Sequence, residues 1–189
     1  MSTEFAYQSD YERYEIINGE TRMMASPSIN HSRINSDIDT IFKNYLNGKK
    51  CEPFNQTSIH LSEKDHYIPD EIIVCDPEII EENFINVTPD IVVEIISKST
   101  VRKDKNEKLF AYEKYGVKEY WIVDPFMKCV DVYILKSGKF TDGGHYQFYT
   151  DKEFSLLTEK AKNETCTEIK VSLYDDFVVN VKDIFKRVK

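Results

Sequence analysis

At 189 residues with a net charge of −8 and 31% charged residues, the chain is long enough for one domain with its own core. It is too acidic overall to coat nucleic acid along a broad basic surface. No apolar run approaches the ~18 residues of a membrane span, and the polar, acidic start MSTEFAYQSD does not read as a signal peptide, so a soluble, cytoplasmic protein is expected.

Residues 12–24 read as a hairpin about Asn18-Gly19, a pair that readily takes positive φ at both turn positions. Its arms are Arg13–Ile17 and Glu20–Met24. After the breaker Ser26-Pro27-Ser28, a helix is expected, because Ile34, Ile38, Ile41, Phe42, Tyr45 and Leu46 share one helical face. Asn47-Gly48 stops it. Residues 51–61 read as a strand, Ser62–His66 as a polar turn, and Tyr67–Cys75 as a second strand that is apolar on both faces after Asp70. Residues 76–88 read as a loop or short helix. Pro89–Ile96 is another strand buried on both faces, Ser97–Thr100 can cap a helix over 101–115, and Gly116 ends that helix. Glu119–Asp124 is a further strand. Strand, helix, strand at this spacing is a crossover, which makes the two strands parallel. Residues 129–135 and 145–150 form a hairpin that turns either at Lys136–Lys139 or at Asp142-Gly143-Gly144. Phe177–Val181 reads as a strand and Lys182–Val188 as a last helical turn or two. The cysteines Cys51, Cys75, Cys129 and Cys166 form no CxxC pair, against a zinc site or a dense disulfide framework. Cys75 and Cys129 lie in apolar runs and read as buried thiols.

Three residues carry the chemistry. Glu94 stands in the run IVVEII, where a carboxylate costs several kcal/mol unless it is paired or metal-bound. It reads either as a structural ion-pair partner or as part of a site. Asp70 opens the other doubly apolar strand, and after Pro69 it could simply satisfy loop amides. Two acids near the ends of adjacent buried strands would form a hard-oxygen site suited to Mg²⁺ or Mn²⁺. Lys108 shares a helix face with Ala111, Tyr112 and Tyr115. It could reach those acids, snorkel at the edge of the stripe, or pair with Asp104.

The stretches YEIINGE, SPSINH, IPDEIIVCDP, PDIVVEIISKST, RKDKNEKLFAYEKYGVKEYWIVDP and VDVYIL resemble the Uma-type restriction endonuclease family of the PD-(D/E)XK nuclease superfamily. The resemblance implies an α/β (α+β) restriction-endonuclease-like core over a single domain, 1–189. A mixed central sheet would be flanked by helices, with an N-terminal hairpin and extra C-terminal strands. It implies a Mg²⁺- or Mn²⁺-dependent endonuclease acting on DNA. Asp70 and Glu94 would be the metal-holding acids, and the Ile95 carbonyl a further ligand. The superfamily's lysine follows its glutamate by two, a place taken here by Ile96, and in this branch the resemblance points to Lys108 instead. Glu15 matches an N-terminal acidic position, although the Asn18-Gly19 turn also sets it opposite Arg22 as a plain cross-strand ion pair. His31 could donate to phosphate or cap the helix. Gln56 shares a strand face with Ser58 and His60 and could support the site. Lys98, Arg102, Lys103, Lys105 and Lys108 form a local basic run that is either a phosphate-contact edge or a solvated helix face. A homodimer is the simplest way to cut both strands of a duplex. The other reading is a catalytically silent binding domain on the same fold.

Overall fold

The computed structural model describes residues 13–76, 84–97 and 103–188, with backbone alone for 103–105. The N-terminal hairpin forms where expected, with β1 (Tyr14–Ile17) paired to β2 (Glu20–Met23). Asn18 (φ 53°) and Gly19 (φ 82°) both take the left-handed conformation of its turn. Helix α1 (Ile29–Leu46) starts at Ser28, whose side chain accepts the backbone N–H of His31. Its buried stripe includes Ile34, Ile38, Phe42 and Leu46.

The structure departs from the expected pair of long strands. The segment 51–61 divides into β3 (Glu52–Asn55) and β4 (Ile59–Ser62), and 67–75 into β5 (Asp65–Tyr67) and β6 (Glu71–Val74). Both breaks fall at one level. Gln56 takes φ 47°, Pro69 has no N–H to extend a ladder, and the Gln56 N–H donates to the Asp70 carbonyl at 3.1 Å. One half of the hairpin, β4–β5, joins the first hairpin in a four-stranded sheet of order β2-β1-β5-β4. The other half, β3–β6, enters the main sheet.

That main sheet has the order β10-β9-β8-β7-β6-β3. Strand β7 (Ile91–Ile95) runs antiparallel to β6 and parallel to β8 (Glu119–Asp124), as the crossover requires. The crossover is a π-helical stretch, Lys103–Lys108, continuing into α2 (Leu109–Tyr115), which ends at Gly116 with φ 84°. The expected helix over 101–115 is thus not uniformly α, and residues 98–100 of its proposed cap lie outside the described residues. Strands β9 (Cys129–Lys136) and β10 (Lys139–Gln147) turn at Ser137 (φ 51°) and Gly138 (φ 78°), the first of the two turns considered. The Asp142-Gly143-Gly144 segment instead interrupts β10's register as a bulge. A Cβ at Gly143 would come within 2.8 Å of Ile134 Cγ1, so glycine is required where the bulge presses against β9. The C-terminal part, read only in part from sequence, comprises α3 (Asp151–Ser155), α4 (Glu159–Glu164), β11 (Glu168–Lys170), β12 (Val178–Asn180) and α5 (Val181–Phe185). No helix among the described residues is long and apolar enough to cross a membrane.

Alternation along the doubly buried strands builds two cores. Ile91, Val93, Ile95, Trp121 and Val123 face α1 and α5, while Val92, Ile96, Tyr120 and Ile122 face α2 and the side sheet. In the first core Phe42 meets Trp121 and Phe177 edge-on at 5.6 and 5.8 Å. Cys75 is not the buried free thiol expected of its apolar run. Cys75 is a half-buried member of a disulfide with Cys51, one position beyond the Glu52↔Val74 pair. An apolar run on one strand does not reveal a cysteine directly across on its neighbour. Cys129 is a buried free thiol, as expected.

Truncating Phe42 removes the ring that both aromatic partners pack on. Phe42→Ala is expected to cost about 3–5 kcal/mol, seen in urea melts as a lower midpoint with an unchanged slope.

Candidate active site

Glu94 belongs to the same alternation as Val92 and Ile96, so its side chain leaves β7 on the α2 side of the sheet. The antiparallel register pairs Glu71 with Val93, and one further step sets Asp70 across from Glu94, where directly opposed residues share a face. The Asp70 carboxylate is tied to that strand end. Its Oδ2 accepts the Ile95 N–H at 2.8 Å and lies 3.1 Å from His31 Nε2. Pro69 and the Gln56–Asp70 backbone bond hold the segment, and Arg13 clamps Gln56 through its side-chain oxygen at 2.6 Å.

Lys108 arrives from the crossover. Its Nζ lies 2.6 Å from Glu94 Oε1 and 2.9 Å from Glu15 Oε1, and the residue is 3% exposed. It therefore neither snorkels to solvent nor merely edges the stripe. It is the last residue of the π-helical stretch, a wide turn that is uncommon in helices and frequent at functional sites. Tyr112, one turn further on, donates its hydroxyl to the same Glu94 oxygen at 2.7 Å. Burial, with the nearby Glu94 carboxylate next in effect, pushes the Tyr112 phenol well above its ordinary pKa, so it remains a donor. Glu15 is 1% exposed and also accepts the Ile68 N–H at 3.3 Å. The Glu15–Arg22 alignment predicted from the turn is present in the backbone register, but Arg22 reaches Glu107 and Glu20 while Glu15 reaches Lys108. The Arg22–Glu107 pair ties the hairpin's outer arm to the crossover helix, and the Glu15–Lys108 pair ties its inner arm.

The structure thus gathers Glu15, Glu94 and Lys108 at one point, and brings Asp70 and His31 together beside Ile95. The His31 ring goes to Asp70, and the helix cap is Ser28 instead. Gln56 supports the site through the Asp70 backbone. His60 stacks on His66 at 3.8 Å. Of the basic run, Lys98 and Arg102 lie outside the described residues. The residue that sequence reasoning did not assign is Tyr112. Its signal was present, since it stands four residues after Lys108 on the stripe that meets the sheet.

Among the described residues, counted at formal charges, one ammonium faces two carboxylates here, and the register sets Asp70 across from Glu94 as a third acid. Buried charge of one sign favours a bound cation. Among the described residues no three His, Cys, Asp or Glu side chains gather around one point. The donor set on offer is therefore Asp70, Glu94 and a backbone carbonyl such as that of Ile95. A small set of hard oxygens fits Mg²⁺, which keeps several waters and uses one or two carboxylates. In chemical type, the Asp70 and Glu94 carboxylates suit such an ion.

Comparisons with known proteins give the family and the fold. A family model described as "Uma2: Putative restriction endonuclease" matches residues 3–159. The chain is similar to two uncharacterized Synechocystis proteins. One, slr1290, is 31% identical over 125 residues, 65% of this chain and 66% of that protein, just under two thirds of its length. The other, sll1609, is 27% identical over 153 residues, 78% of each chain. Among solved structures, a crystal structure titled as a "putative nuclease belonging to DUF820" from Anabaena variabilis superposes with a TM-score of 0.68 at 17% identity. It covers 93% of this chain and 91% of that one, and at that identity it establishes the fold, a mixed sheet of the nuclease-like kind.

On the opposite face of β6, Glu71 points toward α1 with neither carboxylate oxygen hydrogen-bonded and no exposed surface. Burial, with Asp39 adding repulsion, raises its pKa from 4.5 to about 9. The folded state therefore keeps this proton where the unfolded chain has lost it, and stability falls as pH rises from about 4.5 toward about 9. Glu71→Gln is expected to leave stability at pH 4 nearly unchanged and to raise it at pH 8 by at least ~1–2 kcal/mol. Chemical denaturation at both pH values checks this, and an equal effect at the two would refute the buried-acid assignment.

Proposed function

The chain belongs to the Uma2 family of restriction-endonuclease-like proteins, and from that premise we propose that it is a metal-dependent endonuclease that hydrolyses phosphodiester bonds in DNA. The observation that carries the reading is the burial of Lys108 between Glu94 and Glu15. The lysine absent from its usual place two residues after Glu94, now Ile96, is supplied to the same acid from the crossover helix. Asp70, Glu94 and the Ile95 carbonyl would hold Mg²⁺ or Mn²⁺. Such an ion polarises a phosphate oxygen and lowers the pKa of bound water.

The chain's own residues divide the remaining tasks. Asp70 is oriented by the Ile95 N–H and His31, which fixes it at the end of β6. Lys108, freed from one of its two carboxylates, brings an ammonium to the charge that develops on the phosphate oxygens. Glu15 would keep that lysine within the site while it moves. His31, 13% exposed at its side chain, stands where it can hold or pass a proton beside Asp70. DNA enters as substrate through a local surface, since the molecule as a whole is acidic. A second copy of the chain would let both strands be cut.

A second reading, a silent binding domain, draws on the same oxygen. Lys108 and Tyr112 satisfy Glu94 Oε1 without a metal, as a structural ion pair would.

Two measurements decide. Supercoiled plasmid with millimolar Mg²⁺ or Mn²⁺ should be nicked and linearised by the wild type, and Asp70→Ala should lower the rate by at least about 10²–10³-fold. Undigested plasmid under every metal condition would end the nuclease reading. In thermal melts, Mg²⁺ should raise the melting temperature of the wild type and do so much less for Glu94→Gln, which keeps the shape but loses the charge. Identical responses would make Glu94 a structural ion-pair residue.

A further inference from the structure

Glu94 Oε1 receives two donors of different kinds from one helix, the Lys108 ammonium at 2.6 Å and the Tyr112 hydroxyl at 2.7 Å. Lys108 is shared, because Glu15 also holds it at 2.9 Å. It sits at the end of a long aliphatic arm, and the proposed chemistry needs it at the substrate phosphate. Tyr112 is different. It is fully buried, and its ring is wedged edge-on between Tyr67 at 5.4 Å and Tyr120 at 5.1 Å. A phenol has no second position to swing to when its ring is packed in this way. If Lys108 leaves Glu94, the Tyr112 hydroxyl still meets the same oxygen, and a donor fixed on a buried carboxylate preserves its orientation and part of its stabilisation.

We propose that Tyr112 is the positioning residue of this site. It holds the Glu94 carboxylate in place, so that Lys108 can leave it for the phosphate while the acid keeps its aim at the metal. The inference rests on the nuclease reading and adds a division of labour to it, with the lysine mobile and the tyrosine fixed. The spacing of the two donors, one helical turn apart across the junction of the π-helical stretch and α2, is what lets both reach one oxygen.

Tyr112→Phe removes the hydroxyl and keeps the packed ring. Calorimetric titration of the full chain with Mn²⁺ alone should show affinity lowered by roughly 10-fold, the usual scale for losing a partner of a metal-holding acid. Plasmid cleavage by Tyr112→Phe should recover as Mn²⁺ is raised. Tyr115→Phe is the control. It deletes a hydroxyl bonded to Asp65 and Ser62 on the same helix, and should leave Mn²⁺ affinity unchanged. In a Glu94→Gln background, Tyr112→Phe should have no further effect on Mn²⁺ binding, because the coupled partner is gone.

Wild-type affinity in folded Tyr112→Phe overturns the inference. If Glu94→Gln binds Mn²⁺ as the wild type does, the nuclease reading falls with it. If Glu94→Gln is weakened and Tyr112→Phe is not, the inference alone falls. A readout on the unmutated protein guards against a variant that does not fold. The Tyr112 hydroxyl proton, protected by burial and its bond to Glu94, should stay visible by NMR and shift when Mg²⁺ is added. Its loss to solvent exchange on Mg²⁺ addition would mean that Tyr112 lets go of the acid, and would overturn the proposal.

Discussion

A lysine ammonium held almost entirely out of water, against two carboxylates, is the constraint around which the molecule is arranged. Desolvating such a charge is costly unless its partners are close and themselves well held. Each partner here is carried by a different element. Glu94 comes from the centre of the main sheet, Glu15 from the inner face of the N-terminal hairpin, and Lys108 from the crossover helix. Removing the lysine would leave two buried carboxylates without their shared cation, a far larger penalty than losing a surface ion pair. The hairpin is accordingly fastened to the crossover helix a second time, from outside, through Arg22 and Glu107.

The same constraint explains why one hairpin is divided between two sheets. Breaking both strands at Gln56 and Pro69-Asp70 sends β5 to β1 through Ile16↔His66, while β6 stays beside β7. The break also frees Asp70 from ladder pairing, so its carboxylate can turn onto the Ile95 N–H. A site-forming irregularity thus sits between two regular, tightly packed sheets, and their rigidity fixes the acids.

The two faces of the main sheet treat their acids differently. On the α2 side, Glu94 and Glu15 are buried with a cation and hydroxyl or amide donors to meet them. On the α1 side, Glu71 is buried without a hydrogen bond, and its carboxyl is driven toward the neutral form. Glu94 and Glu71, on opposite faces of the main sheet, therefore meet different surroundings, decided by what the neighbouring layer offers. At Glu71 burial and the Asp39 charge outweigh the nearby Lys43, so the neutral form is favoured there.

Much of this was legible in the sequence, for reasons that are local. Asn18-Gly19 specified its turn because two positive φ angles suit few other pairs. The Ile34–Leu46 stripe specified α1 because a 3.6-residue period permits little else. IVVEII announced a doubly buried strand holding one acid that required a partner. The motif run from Asp70 to Pro125 announced the nuclease-like fold, and Lys108 was nameable because it shared a helix face with residues bound to meet the sheet. The remainder depends on which segments become neighbours. Glu15 chooses Lys108 over its register partner Arg22 because the crossover helix covers that face of the hairpin. Cys51 and Cys75 become partners because β3 and β6 lie in register. The expected long strands split because Gln56 and Pro69 fall at the same level of one ladder. Tyr112 turns from a packing residue into the second donor on Glu94 only when its helix lies across β7. Sequence fixes periodicity and conformational preference one segment at a time, whereas a hydrogen bond between residues 18 apart exists only once packing has chosen the distance.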